Sequence, residues 1–516
     1  MHLLTNYPLE LYGPRSEFPF ESIVTFGPDP GHRIGDQTIP YDISFDASRR
    51  SIQELLSLVD GPRPDIVMLW WPDQEPIPTG LEDSEVPVVG VMSDYNLTLP
   101  FCRDLAPFFD LLLCDHSALP VLGRLPFARV EPWCQYSYRP DVHRPRVSDD
   151  GREPERDIDI SFVGNLDPIV QRDRMPYLER IAALEDSWRV HIGSAPQGRE
   201  YGELLARSRI AFNRSIRGEV NLRCFEATAC GALLLCEREN LEIRRYFRED
   251  EEVVLYGPHD LERKIQWLLT HEDERRRIAD AGRRRVREHR LARQFEPLIE
   301  ILGTLDVTRR PRVDDITRVL GRATSMLVAR ADADTILTPL IRCADLEVSA
   351  RTRNALAVAL VSRVGETMIT RAITLLDNAR LLDAGHLPSL ANARFLRAIT
   401  GDLAAANELG KELEWRARTS ERPGDFDGMV MPVGFDSRGV AHAGALASCL
   451  KNSDLAPLRD YFVRLAHDDD RTMPLPGYSR ALDPRELGST HPRGVMSDYS
   501  ASGSTTSPAA RSLSKA

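Results

Sequence analysis

Lysine is almost missing from this chain of 516 residues: only Lys264, Lys411, Lys451 and Lys515 occur, and arginine supplies the other 62 of 66 basic residues. So one-sided a bias reads as codon composition and points to a GC-rich bacterial source. No apolar run reaches 18 residues, so no membrane span is expected. Met1–Asn6 has no basic stretch leading into an apolar one, so no secretory signal is expected and the protein reads as cytoplasmic. The eight cysteines are scattered and none forms C-x-x-C, which argues against a zinc ribbon or a disulfide framework. Cysteines inside apolar runs, such as Cys114 after Leu111-Leu112-Leu113, read as small hydrophobes. No basic domain stands out, and the net charge of −12 argues against a nucleic-acid binder. There is no G-x-G-x-x-G, so no dinucleotide cofactor is indicated.

What is present is an alternation of short apolar runs and helical patterns. In residues 1–146 strands are expected at Ser22–Phe26, Ile66–Trp70, Val86–Val91 and Leu111–Cys114, with Val130 opening another. A helix is expected at Ser51–Val59, where Ser51 and Glu54 make a capping-box pattern. Residues 147–157 have linker composition. The alternation resumes from Ile158 to Tyr256 and ends in an amphipathic helix pair reaching Leu302. The expected fold class is α/β, with two Rossmann-like parallel halves (1–146 and 158–305). Ligands in such folds lie at the C-terminal ends of the strands.

From 308 to about 470 the strand signals stop and Ala, Leu and Arg recur with helical spacing. Asn354-Ala355-Leu356-Ala357 and Asn392-Ala393-Arg394-Phe395-Leu396 are alike and 38 residues apart. This predicts an all-α region, either a TPR-like array or an irregular bundle, and a possible surface for a protein partner. Residues 471–516 hold nine Ser, five Pro and four Gly, the composition of a disordered tail.

The segment Ala211–Cys236, AFNRSIRGEVNLRCFEATACGALLLC, reads as strand, loop, helix, turn, strand. Gly231 falls where a helix needs a left-handed C′ residue. The loop Ser215–Asn221 feeds a helix N-terminus, a natural phosphate site. Arg223 in the first turn could add a charge-assisted grip. Glu226, three residues on, could accept two hydrogen bonds from a ribose diol. An ordinary surface helix with solvated Arg and Glu explains the same spacing. Gly164-Asn165 follows a strand and precedes Arg172 and Arg174; a glycine turn and an arginine there suit a diphosphate. Asp94 and His116 end strands of the first half and are candidate acceptor-side bases.

Phe212-Asn213, Arg223, Phe225-Glu226-Ala227 and Cys230-Gly231, with Asp159–Asn165 upstream, resemble the donor-binding segment of GT-B glycosyltransferases, in particular those related to the spore-maturation protein CgeB. The resemblance covers about 157–302 well and 20–146 loosely. It implies a nucleotide-diphosphate sugar as donor substrate, no cofactor and no metal, and hexosyl or related transfer to an acceptor that is a glycan, a protein or a small molecule. It implies donor contacts from Gly164, Asn165, Arg172, Asn213, Arg223, Glu226 and Gly231. Many retaining relatives carry E-x7-E; Gly218 holds the earlier position here and Glu219 gives E-x6-E, a departure that bears on a retaining course. Two rival readings are a degenerate GT-B core acting as a helical adaptor, and a nucleotide-sugar epimerase.

Overall fold

The computed structural model describes residues 1–34, 37–92, 95, 104–123, 129–147, 154–164, 166, 174–193, 198–215, 218–309, 313–328, 333–364 and 366–419. Asp94, Asn165 and Arg172 lie outside the described residues, as does everything beyond Thr419.

The first half holds β1 (His2–Thr5), β2 (Ser22–Gly27), β3 (His32–Ile34), β4 (Gln37–Ile39), β5 (Ile43–Ser44), β6 (Ile66–Trp70), β7 (Val88–Val91), β8 (Leu111–Cys114) and β9 (Arg129–Pro132). Seven of them form one parallel sheet in the order β5-β2-β1-β6-β7-β8-β9, and β3 and β4 make a small antiparallel hairpin. β6, β7 and β8 are buried along their whole length, which is why they read as unbroken apolar runs. The Ser51 capping box forms at the head of the Ile52–Ser57 helix. The second half holds β10 (Ile158–Val163), β11 (Val190–Gly193), β12 (Ser208–Phe212), β13 (Leu233–Glu237) and β14 (Val254–Tyr256), all parallel, in the order β11-β10-β12-β13-β14. The chain therefore has two Rossmann-like halves followed by helices.

The order of each sheet reverses direction once. In the first, β1 pairs with β2 on one side and β6 on the other. In the second, β10 pairs with β11 and β12. Crevices open at the carboxyl ends of strands that part at such points.

Two stretches of chain cross between the halves, and they are tied to each other. Trp133 Nε1 donates to Gln294 O at 2.8 Å, Gln294 Nε2 to Tyr136 O at 2.7 Å, and Ser137 Oγ to His289 O at 2.8 Å. Leu291, Phe295, Leu298 and Leu302 then bury themselves against Leu3, Tyr7, Trp70 and Trp133 of the first half.

Six helices follow: Asp315–Val328, Ala333–Leu346, Ala350–Val364, Ile369–Leu382, Leu387–Ile399 and Leu403–Thr419, each packed on the next. The two like segments lie side by side, and Asn392 Nδ2 donates to Asn354 Oδ1 at 2.8 Å with both residues buried. No helix among the described residues is long and apolar enough to cross a membrane.

This helical region does not stand apart. Leu320, Leu337, Leu356, Leu390 and Leu413 share one continuous core with Phe26, Leu55, Val88 and Phe108. Polar contacts pin the seam: Ser325 Oγ accepts from Ile77 N at 3.1 Å, and the buried Asp104 accepts from Thr324 Oγ1 at 3.1 Å and Arg351 Nη2 at 3.3 Å. Gly321 is the closest approach, because a Cβ there would stand 2.2 Å from the Phe108 ring and 2.6 Å from Asp104 O. Gly321→Ala is expected to cost about 1–3 kcal/mol through overpacking at this seam. Thermal unfolding checks it: an unchanged Tm would mean that the seam yields.

Candidate functional site

The crevice of the second sheet lies between the ends of β10 and β12. Arg223, the second residue of the Leu222–Ala229 helix, spans it. Its Nε and Nη2 donate to Val163 O at 3.0 and 2.6 Å, and its Nη1 donates to Asn213 Oδ1 at 2.8 Å. A guanidinium has five N–H groups, so two remain with no acceptor among the described residues. Gly164 makes room for this arrangement: a Cβ there would meet Arg223 Nη2 at 2.3 Å. Arg174 joins from the other side. The Arg174 and Arg223 guanidiniums lie 5.1 and 4.5 Å from the centroid of the Phe162 ring. Burial, and then the charge of Arg223, lower the Arg174 pKa to about 9. Arg174 Nε donates to Arg214 O at 2.8 Å, and the Glu219 and Glu237 carboxylates act on it, so the positive charge at this ring is partly offset from within the protein. Asn221 caps the adjacent helix without a side-chain bond to its first N–H groups, and the helix dipole adds to the field.

The geometry rests on Glu237, at the end of β13. Its buried carboxylate accepts from Ser215 N at 3.1 Å, Asn213 Nδ2 at 3.3 Å, Asn240 Nδ2 at 3.0 Å, Cys236 Sγ at 3.2 Å and the Ser215 hydroxyl. Asn213 passes the constraint on, its Oδ1 also accepting from Asn221 Nδ2 at 3.1 Å. Asn213 is wholly buried and its side chain is spent on protein groups. It positions Arg223.

Glu226 sits one turn further along the helix. Tyr201 OH donates to its Oε2 at 3.1 Å. His143 Nδ1 accepts from Arg139 N at 3.0 Å, which places the ring proton on Nε2, 3.7 Å from Glu226 Oε1. Burial lowers the His143 pKa to about 3, so this contact is no ion pair at neutral pH. Desolvation raises the Glu226 carboxyl to about 7, against the pull of Tyr201, Arg223 and Arg139. Tyr7 and Tyr12 of the first half lie near enough to feel its charge.

One sequence reading changes, that of Gly231, while the Gly218 and Glu219 positions gain a conformational reason. Gly231 lies at the far end of the helix, about 12 Å from its N-terminus for eight residues. Its φ of +79° and the bonds Ala232 N→Ala227 O (3.1 Å) and Gly231 N→Thr228 O (3.0 Å) form a Schellman end, so it terminates the helix and is not placed to touch a ligand at the crevice. Gly218 has φ +86°, a conformation in which a glutamate would be strained; the acid stands one residue later as Glu219, buried and close enough to Arg174 to raise its pKa.

On the first half, Asn6 clasps the end of β6: its Oδ1 accepts from Trp70 N at 2.7 Å and its Nδ2 donates to Trp70 O at 3.2 Å. Trp71 has φ +55°, a strained value for a bulky residue, and is steadied by Nε1 donating to Gln135 Oε1 at 2.7 Å. Tyr7 stacks on Trp70 at 4.7 Å. His116 is half-buried where the halves touch: burial and then Arg245 lower its pKa, and Ser117 N donates to Glu242 Oε1 across the boundary at 2.6 Å.

Sequence reasoning passed over Tyr7, Arg139, His143, Tyr201 and Glu237. The spacing Arg139-x-x-x-His143 between two α/β halves was a signal for two of them; nothing marked Glu237 as more than the last residue of a strand. Glu237→Gln turns one acceptor into a donor facing other donors. It is expected to cost about 2 kcal/mol or more and to loosen the 213–221 loop, read as faster amide exchange there; native protection in this variant would remove Glu237 from its supporting role.

Residues 153–300 match the family model described as glycosyl transferase-like. No curated protein matches the chain. Among solved structures, TarM is similar at 11% identity over 49% of this chain, TM-score 0.38, and the chain spans only 57% of TarM. A sucrose-phosphate synthase from Thermosynechococcus elongatus is similar at 12% identity over 59% of this chain and 100% of that one, TM-score 0.40. HepE of Anabaena, solved with UDP and glucose, is similar at 13% over 59% and 100%, TM-score 0.39. The family match and the arginine crevice fall on the same stretch of chain.

Proposed function

We propose that the protein transfers a sugar from a nucleotide-diphosphate sugar to an acceptor hydroxyl, with the second half holding the donor. The observation that carries this reading is the Arg174–Arg223 pair at the crevice between β10 and β12, beside an uncapped helix start. The family match to 153–300 supports it. In the transfer the bond from the sugar's anomeric carbon to the diphosphate oxygen breaks, and its electron pair leaves with the phosphate. A bond to the acceptor oxygen forms and the acceptor's proton is lost. Arg174 and Arg223 stand where the leaving charge grows, the task a metal performs in other transferases, so metal independence is part of the proposal. Glu226 would accept from the ribose hydroxyls. A retaining course is also part of it, and the anomeric proton of the product, read by NMR, tests it. Asp94 and His116 remain the acceptor-side candidates.

Thermal shift with a panel of nucleoside diphosphates, with and without Mg²⁺, tests the donor site. One nucleotide is expected to raise Tm without metal, since a ligand that binds only the folded state stabilises it. Arg223→Ala should weaken that nucleotide about 10- to 100-fold. No shift from any nucleotide would overturn the reading and favour an adaptor.

Affinity should also depend on pH. The folded-state pKa of Glu226, about 7, lies above that of a free carboxyl. Its contribution to stability is therefore present at low pH and lost as the pH rises through 7, when the carboxylate that a ribose needs appears. Nucleotide affinity is expected to be about tenfold weaker at pH 6 than at pH 8, and Glu226→Gln should flatten the profile. Calorimetric titration at the two pH values reads this directly; an equal slope in Glu226→Gln would assign it elsewhere.

A further inference from the structure

Arg139 belongs to the chain that crosses between the halves, and it is only 8% exposed. Its Nε is fully buried and meets no acceptor among the described residues. Its Nη2 reaches only Gln37 Oε1 at 3.4 Å and Asp141 Oδ2 at 3.5 Å. Both are long bonds, and the Asp141 side chain is 67% exposed, so water screens it. Arg139 also acts on Glu226, with which it makes no ion pair among the described residues.

The remaining company is uncharged at neutral pH. Burial lowers His32 to about 4 and His143 to about 3, and raises both Tyr7 and Tyr12. Tyr7 also meets His32 edge-on at 5.3 Å and Trp71 at 5.4 Å. A guanidinium buried among neutral rings is costly unless an anion pairs with it. Arg174 and Arg223 gather at the second sheet's crevice, whereas Arg139 acts on Tyr7, Tyr12 and His32 of the first half as well as on Glu226, so the donor's diphosphate is matched by the first two.

We propose that Arg139, with Tyr7 and His32 near it, forms an anion subsite, so that one of the two substrates carries a carboxylate or phosphate on its sugar or acceptor ring. A planar guanidinium presents its terminal N–H groups in a fixed fork, a geometry that a carboxylate or phosphate takes up bidentately. Aromatic rings beside it suit the apolar face of a pyranose. The inference rests on the transferase reading and names the substrate class: an acidic sugar or a sugar phosphate.

The test uses the full chain in two arms. In the donor arm, calorimetry compares UDP-glucose with UDP-glucuronate, or the matching pair for whichever nucleoside diphosphate binds. In the acceptor arm, with that nucleoside diphosphate saturating, saturation-transfer NMR compares methyl glucoside with methyl glucuronoside and glucose 6-phosphate. The acidic member of one arm is expected to bind at least fivefold better, and that arm tells whether donor or acceptor bears the acid. Arg139→Gln should bring the ratio to about one while nucleoside-diphosphate binding, read at pH 8, above the Glu226 pKa, stays within twofold. Arg139→Lys, which keeps the charge and loses the fork, should retain part of the preference and decides the matter if Arg139→Gln fails to fold. No acidic preference in either arm, or one that survives Arg139→Gln, overturns the subsite alone. Failure of every nucleoside diphosphate to bind wild type would overturn the transferase reading first.

Discussion

A single buried carboxylate sets the shape of the site. Glu237 gathers two side-chain amides, a hydroxyl, a thiol and a backbone N–H around one strand end. Through Asn213 that order reaches Arg223, and through Arg223 it reaches Val163 at the end of the neighbouring strand. Both strands flanking the crevice are thus tied to one another by side chains, where the sheet itself no longer bonds them. Arg223 can hold its position there because three of its N–H groups are fixed by neutral acceptors. Neutral acceptors leave its charge unspent, whereas a carboxylate partner would have cancelled it.

The helical region plays a different part from that of an appended module. Its core is continuous with that of the first sheet, so Phe108 and Leu320 belong to one apolar body. Buried polar contacts at Asp104 and Ser325 fix the register of the seam. A glycine at the tightest point allows helix and sheet layer to touch. Folding of the first half is therefore coupled to folding of residues 315–419.

Much of this was legible in the sequence, and the reasons are physical. Parallel strands covered on both faces leave unbroken apolar runs, so Ile66–Trp70, Leu111–Cys114 and Ile158–Val163 announced themselves. The central strand β1 did not, because four residues beginning with His2 carry too little pattern. Arg223 and Glu226 were visible from their place at a helix start. Gly231 was visible too, but its meaning was local: it ends a helix. Asp94, Asn165 and Arg172 fall outside the described residues. Arg139 and Glu237 were hidden because their significance lies in partners 22 to 102 residues away in sequence, or in having too few.

The two chain crossings between the halves are bonded side by side through Trp133, Tyr136, Ser137, His289 and Gln294. Two antiparallel straps joined along their length behave as one leaf hinge: they bend readily about a shared axis and resist shear and twist. Relative motion of the halves is thereby reduced to opening and closing like a book. Arg139, two residues from Ser137, sits at the spine, where travel is least, while the loops at the page edges sweep furthest.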